Sequence, residues 1–169
     1  GGGMNAIVFQ EMREARGLAY SASGRLLEPE YKDDSYKYFA FIATQNDKMQ
    51  TAIEAFDEII NDMPVSETAF NIAKEALTTK YRTERITGRN ILRSYQNARD
   101  MGITEPRSKK IYEKLPELTL EDVKATQEKW VKDRTYCYGI LGDIKDLDTD
   151  YLKTLGTVEV LTLEDIFGY

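Results

Sequence analysis

Apolar residues recur at a helical period through almost the whole stretch between residues 46 and 132. β-type patterning is confined to runs nearer the two ends of the chain. This segregation is the strongest constraint on the fold. Strands set apart from a block of helices argue for an α+β layer fold, with an antiparallel-containing sheet packed against several helices.

The same pattern locates the individual elements. Met4, Ile7, Val8 and Met12 predict a helix over residues 4–16. Gly17 fits the left-handed position just past a helix end. Arg13 and Arg16 fall in the last turn, where the helix dipole favours cations. Leu18, Tyr20 and Ala22 share one face of the strand that comes next. EPEYKDDS (28–35) is a polar loop, and YKYFAFIAT (36–44) is a second strand, pairing antiparallel with the first. Asn46 or Asp47 caps a helix with Met49, Ile53, Phe56, Ile59 and Ile60 on one face, and Pro64 stops it. Ser66 caps a long helix with Phe70, Ala73, Ala76, Leu77 and Tyr81 on its apolar side, which Thr87-Gly88 bends or ends. The helical pattern resumes through Ile91, Leu92, Tyr95 and Ala98 to Gly102, and a shorter helix covers residues 108–115. Thr119 with Asp122 reads as a capping box opening a helix to Lys132. TYCYGILGD (135–143) is a third strand, residues 149–155 a short helix ended by Gly156, and TVEVLTL (157–163) a fourth strand.

Composition narrows function more than fold. The chain has 169 residues and is read as a single domain. Its net charge of −6 argues against a general grip on nucleic acid, which needs a basic face. No run is long and apolar enough to span a membrane, and no signal-peptide pattern opens the chain. The first residue is Gly, which points to a chain cut from something longer. There is no histidine, so Ser-His and Cys-His nucleophile pairs and His-based zinc sites are ruled out within it. Its one cysteine, Cys137, allows neither an internal disulfide nor a thiolate metal site. Cys137 lies between tyrosines on a predicted core strand and reads as a buried, inert thiol.

The segment MREARGLAYSAS (12–23) carries the most pointed candidate, because Gly17 turns the chain between Arg13 and Tyr20. On the plain reading Arg13 complements a helix end and Tyr20 is a half-buried strand aromatic. On the functional reading the turn brings a guanidinium and a phenol to one point, where both donate hydrogen bonds to a carbonyl oxygen. Arg82, Arg85, Arg89 and Arg93 lie near helical spacing. They read as a solvated face partly neutralised by Glu84 and Asp100, with an anion site as the minor alternative. Asp33-Asp34 read as solvated. Asp143, Asp146, Asp148 and Asp150 lack the ordered spacing of a calcium loop.

The opening run GGGMNAIVFQEMREARGLAYS resembles the non-catalytic half of the pitrilysin/insulinase-type zinc metallopeptidases, the inverted-motif zincins. That family shows glycines, a helix beginning with Met, Phe-Gln-Glu-x-Arg and then Gly-Leu-x-Tyr-Ser. The likeness continues more weakly through the helices over 46–63 and 66–86, Leu118–Val123 and the run ending Leu141-Gly-Asp143. It implies that the three glycines are native and that the chain is the last domain of its parent, a processing-peptidase-like α+β domain lacking its first strands and helix. The sheet would then expose an edge, open to pairing with another chain or to a homodimer. The family is a two-half clamshell. One half holds zinc through an inverted His-x-x-Glu-His motif, and the metal activates water. The other half holds the peptide, with an Arg and a Tyr seven residues apart reaching the substrate, here matching Arg13 and Tyr20. This resemblance tips the reading of the pair towards function. The implied function is substrate binding in a zinc endopeptidase, with zinc and its ligands outside this chain. The implied partners are the catalytic half of the same parent or a separate zinc-bearing subunit, and a peptide substrate. The alternative is an inactive binding or scaffold subunit that pairs with a zinc-bearing chain. The compartment stays open, with a lean to the bacterial periplasm or cell envelope.

Overall fold

The structure, a computed structural model, describes residues 6–169. Gly1–Gly3, Met4 and Asn5 lie outside the described residues, and with them the predicted start of the first helix. The described residues form eight α-helices and a two-stranded antiparallel sheet, a mixed α+β arrangement.

Helix α1 (Ile7–Phe9) runs straight into a π-helical turn, Gln10–Ala15. The wider turn shows at Arg16, whose N–H donates to the Glu11 carbonyl five residues back, at 3.2 Å. Gly17 ends the helix at φ +58°, as the sequence predicts. The Leu18 N–H then reaches back to the Met12 carbonyl at 2.9 Å. Val8 and Met12, one turn apart, point inward and are buried.

Strands β1 (Ser21–Leu27) and β2 (Lys37–Ala43) pair in the register Ser21↔Ala43 to Leu27↔Lys37. Ala22 and Gly24, with Ile42 and Ala40 opposite them, face the helices. A Cβ at Gly24 would lie 2.8 Å from the Tyr38 hydroxyl and 3.4 Å from a Val8 methyl, so the glycine lets α1 and Tyr38 close over the strand. Phe39 and Phe41 point to the other face and are exposed, with the Arg25 guanidinium 5.1 Å from the Phe39 ring centre. Tyr20 departs from the predicted alternation. Leu18 and Ala22 are buried, but Tyr20 sits at a bend before β1 and is 85% exposed.

Helix α2 (Met49–Asn61) buries Met49, Ala52, Ala55, Phe56, Ile59 and Ile60. It completes a core shared with Val8, Met12, Leu18 and Ala22. The expected cap is not made. Asn46 and Asp47 belong to a 3-10 turn (Asn46–Lys48), and no side chain caps α2.

The remaining long helices are α3 (Glu67–Thr83), α4 (Gly88–Asp100), α5 (Arg107–Lys114) and α6 (Leu120–Trp130), and none of them has a buried residue. Polar contacts hold them. The Ser66 hydroxyl accepts the Ala69 N–H at 3.1 Å, and Thr119 and Asp122 form the predicted capping box. The Lys74 ammonium donates to the Pro116 and Leu118 carbonyls at 2.9 and 2.8 Å. The Gln127 amide donates to the Ile60 carbonyl, and the Asn61 side chain accepts the Asp133 N–H at 3.0 Å. The loop after β1 is tied to this layer by the Lys32 N–H on the Asp100 carbonyl at 3.1 Å and by an Arg107–Glu28 ion pair.

Two predicted strands are not formed. Residues 135–141 have no ladder partner. Residues 157–161 also lack one, and Thr162 instead caps helix α8 (Leu163–Phe167) in a second capping box with Asp165. A strand needs a hydrogen-bonded neighbour as well as a pattern. Helix α7 (Thr149–Leu155) forms where predicted and is capped by Asp148.

Met12 is the one large side chain buried completely among the described residues. Met12→Ala should therefore cost about 2–5 kcal/mol in urea unfolding. Leu92→Ala, at an exposed position, should stay within about 0.5 kcal/mol. Equal effects at the two sites would contradict this core.

Candidate functional site

Arg13 lies in the π turn and Tyr20 at the bend before β1. Three contacts fix their relation. Gly17 reverses the chain. Leu18 is buried, and its carbonyl accepts the Thr44 hydroxyl at 2.6 Å. The Tyr20 N–H donates to the Ala43 carbonyl at 3.0 Å, adding one rung beyond β1. The backbone on both sides of the turn is thereby held, and the two side chains converge on the surface.

The Arg13 guanidinium carbon stands 6.0 Å from the Tyr20 ring centre and 5.0 Å from that of Phe9. A cation between two aromatic rings is held by their quadrupoles, each contact worth about 0.5–1 kcal/mol at an exposed site. Its one ion-pair contact among the described residues is a loose one to Glu14 at 3.7 Å. The Tyr20 hydroxyl has no hydrogen-bond partner among the described residues. Arg13 and Tyr20 thus offer a planar set of N–H donors and one O–H donor from a single exposed corner. They can bind and polarise a carbonyl or hold a carboxylate.

Arg16, three residues on, does different work. Its guanidinium donates to Glu58 at 2.8 Å and lies 3.9 Å from Glu11, tying the π turn to α2. The hydrogen bond from Arg16, and then its charge, holds the Glu58 carboxyl below its ordinary range.

Other candidates from the sequence are distributed differently. The break between α3 and α4 separates Arg82 from Arg89 and Arg93, so the four arginines do not share one helix face. Arg85 turns back onto the carbonyls of Arg82 and Glu84 at 3.0 and 2.8 Å. Asp100 pairs with Arg99 rather than with the stripe, and Glu84 forms no ion pair among the described residues. Asp33 and Asp34 are exposed. Asp143 accepts the Lys145 N–H, Asp148 the Tyr151 N–H, and Asp150 pairs with Lys153 at 2.7 Å, so these acids serve local turns. Cys137 is exposed, contrary to the expectation of a buried thiol, because the strand that would have buried it does not form.

Pattern reading missed the contact between α2 and residues 136–138. The Tyr138 hydroxyl donates to Asp57 at 3.0 Å. Burial, then the Asp57 carboxylate, pushes the phenol up to about 12. Its only sequence signal is Tyr136 and Tyr138 two residues apart.

No group of three or more metal-ligating side chains exists among the described residues. The whole chain has no histidine and one cysteine, so it has neither a His-based nor a multi-thiolate zinc set. No described helix is long and apolar enough to cross a membrane. No family model matches the chain, and neither does any curated protein or solved structure.

The Arg16–Glu58 pair has a definite pH signature. Because the folded pKa of Glu58 is lowered, its contribution is present above the unfolded value and fades as pH falls through the folded one. Arg16→Ala should return Glu58 towards the ordinary range in a carboxyl-detected NMR titration. The stability gap between the two proteins should close below about pH 4. An unmoved Glu58 pKa would show that the pair does not form in solution.

Proposed function

We propose that this chain is the non-catalytic, substrate-binding half of a zinc-dependent endopeptidase of the pitrilysin/insulinase type. The observation that carries the reading is the convergence of Arg13 and Tyr20 at one exposed corner. The motif resemblance over residues 1–21 gives that corner its meaning.

On this reading the domain forms one wall of a peptide chamber and cleaves nothing alone. The zinc, with the water it activates, belongs to the catalytic half or to a separate subunit. This chain's part is positional and electrostatic. The Tyr20 hydroxyl, without a hydrogen-bond partner among the described residues, donates to the oxygen of the peptide bond under attack. Arg13, steadied by Phe9 and Tyr20, supplies a second donor and a positive charge facing the charge that develops there. Donors held in place beforehand stabilise that charge without reorganising during the reaction. The loose contact to Glu14 costs little to give up, since exposed ion pairs are worth at most about 1 kcal/mol.

A scaffold role is the second reading. It draws on large exposed apolar side chains away from the corner, among them Phe39, Phe41, Leu92 and Trp130. Exposed apolar side chains are what a partner protein would cover if they lie together on one surface.

In the assembled, zinc-bearing enzyme, Tyr20→Phe should lower turnover by about a hundredfold or more. Zinc content should be unchanged, and wild-type activity should vanish with a chelator. An unaltered rate in Tyr20→Phe would remove the role assigned to the pair. A parent that binds no zinc and cleaves no peptide would favour the scaffold subunit.

A further inference from the structure

Arg13 is loosely held for a group with a positional task. Its contacts among the described residues are the rings of Phe9 and Tyr20, at 5.0 and 6.0 Å, and the 3.7 Å approach to Glu14. None is a tight hydrogen bond, so the guanidinium inherits its place from the backbone of the π turn. Tyr20 differs, because its own N–H is fixed on the Ala43 carbonyl of β2. The approach of the two side chains therefore depends on how firmly the turn is held against the rest of the fold.

Two kinds of contact hold it. On the inside, Val8 and Met12 form a buried stripe in one cluster with Ala52, Ala55, Phe56 and Ile59 of α2. Apolar contact is non-directional, and contact along a single stripe resists least a rolling of the turn about that stripe. Rolling would move Arg13, which is exposed and off the stripe, relative to Tyr20. On the outside, the Arg16 guanidinium closes the end of the turn onto α2. It donates to Glu58 at 2.8 Å and stands 3.9 Å from Glu11. Arg16 thus joins a carboxylate inside the turn to one on the neighbouring helix, and a charge-assisted hydrogen bond of this kind is directional. Glu58 is a firm anchor, since Ile59 beside it is buried in the shared cluster.

We propose that Arg16 is a positioning residue for the Arg13–Tyr20 corner. By clamping the π turn to Glu58 it keeps the Arg13 guanidinium beside Tyr20, and in the assembled enzyme it keeps both donors aimed at one oxygen. The effect on turnover rests on the peptidase reading, whereas the effect on the corner itself does not.

The size of the effect follows from exposure. An exposed ion pair contributes little, so its loss should lower kcat about three- to fivefold, far less than the loss in Tyr20→Phe. The donors act on charge that develops during the reaction, so KM should hardly move.

The test has two arms. In the 169-residue chain, NMR reads the NOEs between the Arg13 side chain and the Tyr20 ring, with those of the fully buried Met12 methyl as the internal reference. Arg16→Ala and Glu58→Gln should each weaken the Arg13–Tyr20 NOEs and leave those of Met12 intact. Arg16→Lys, which keeps the cation, should retain most of the contact. In the assembled, zinc-bearing enzyme, Arg16→Ala and Glu58→Gln should lower kcat without raising KM, and Arg16→Lys should recover most of the rate. Unchanged Arg13–Tyr20 NOEs in Arg16→Ala, or no recovery in Arg16→Lys, would overturn the proposal. So would loss of the Met12 NOEs together with them, because Arg16 would then act on the whole fold. A normal kcat in Arg16→Ala beside a lowered one in Tyr20→Phe overturns the proposal and spares the peptidase reading. A normal kcat in both removes that reading, and the NOEs alone then decide whether Arg16 positions the corner.

Discussion

The backbone reversal at Gly17 is the constraint on which the first part of the fold depends. Its φ of +58° is a conformation that residues with a Cβ adopt at a cost, and open space surrounds the place where a Cβ would be. The need for glycine is conformational rather than steric. The reversal lets Met12 and Leu18 enter one core from opposite sides of the turn. It also leaves Arg13 and Tyr20 on the outside, within reach of each other. The packing that stabilises the turn and the geometry that makes the site are consequences of the same few dihedral angles.

The apolar interior is unevenly shared. Its main cluster gathers α1, the π turn, the β hairpin and α2. Beyond α2, Leu115 in the turn after α5 is the one buried apolar residue. Of helices α3 to α6, α3 and α6 carry a side-chain cap, and Lys74 and Gln127 reach neighbouring carbonyls. Such bonds are worth about 0.5–1.5 kcal/mol each, so this layer has much less holding it than the hairpin and α2. Local opening begins where buried apolar contacts are few.

Sequence reading succeeded where the determining forces are local. Ser66 and the Thr119–Asp122 box cap the helices they were expected to cap, Gly17 has its positive φ, and Met49, Phe56, Ile59 and Ile60 of the expected α2 face are buried, with Ile53 half-buried. It failed where a distant partner decides. Residues 135–143 and 157–163 have strand-like patterns, yet no ladder reaches them. In the second run Thr162 and Asp165 form a capping box and open α8 instead. Asn46 and Asp47 lost their capping role to a 3-10 turn. Tyr20 broke the two-residue period because the chain bends there, and no composition rule marks that bend. The proximity of Arg13 and Tyr20 could be framed from the glycine between them. The contact of Tyr138 with Asp57 could not, since the two lie 81 residues apart in the chain.

The π turn at Gln10–Ala15 can be viewed as an α-helix holding one surplus residue. Loss of any one residue from it would leave a regular helix of similar length. The widened turn takes up that residue without rotating what precedes it, so Val8, Met12 and Arg13 keep the faces they would hold on an uninterrupted helix. The bulge is thus the place where the chain can vary in length while its buried stripe and its cationic corner stay in phase.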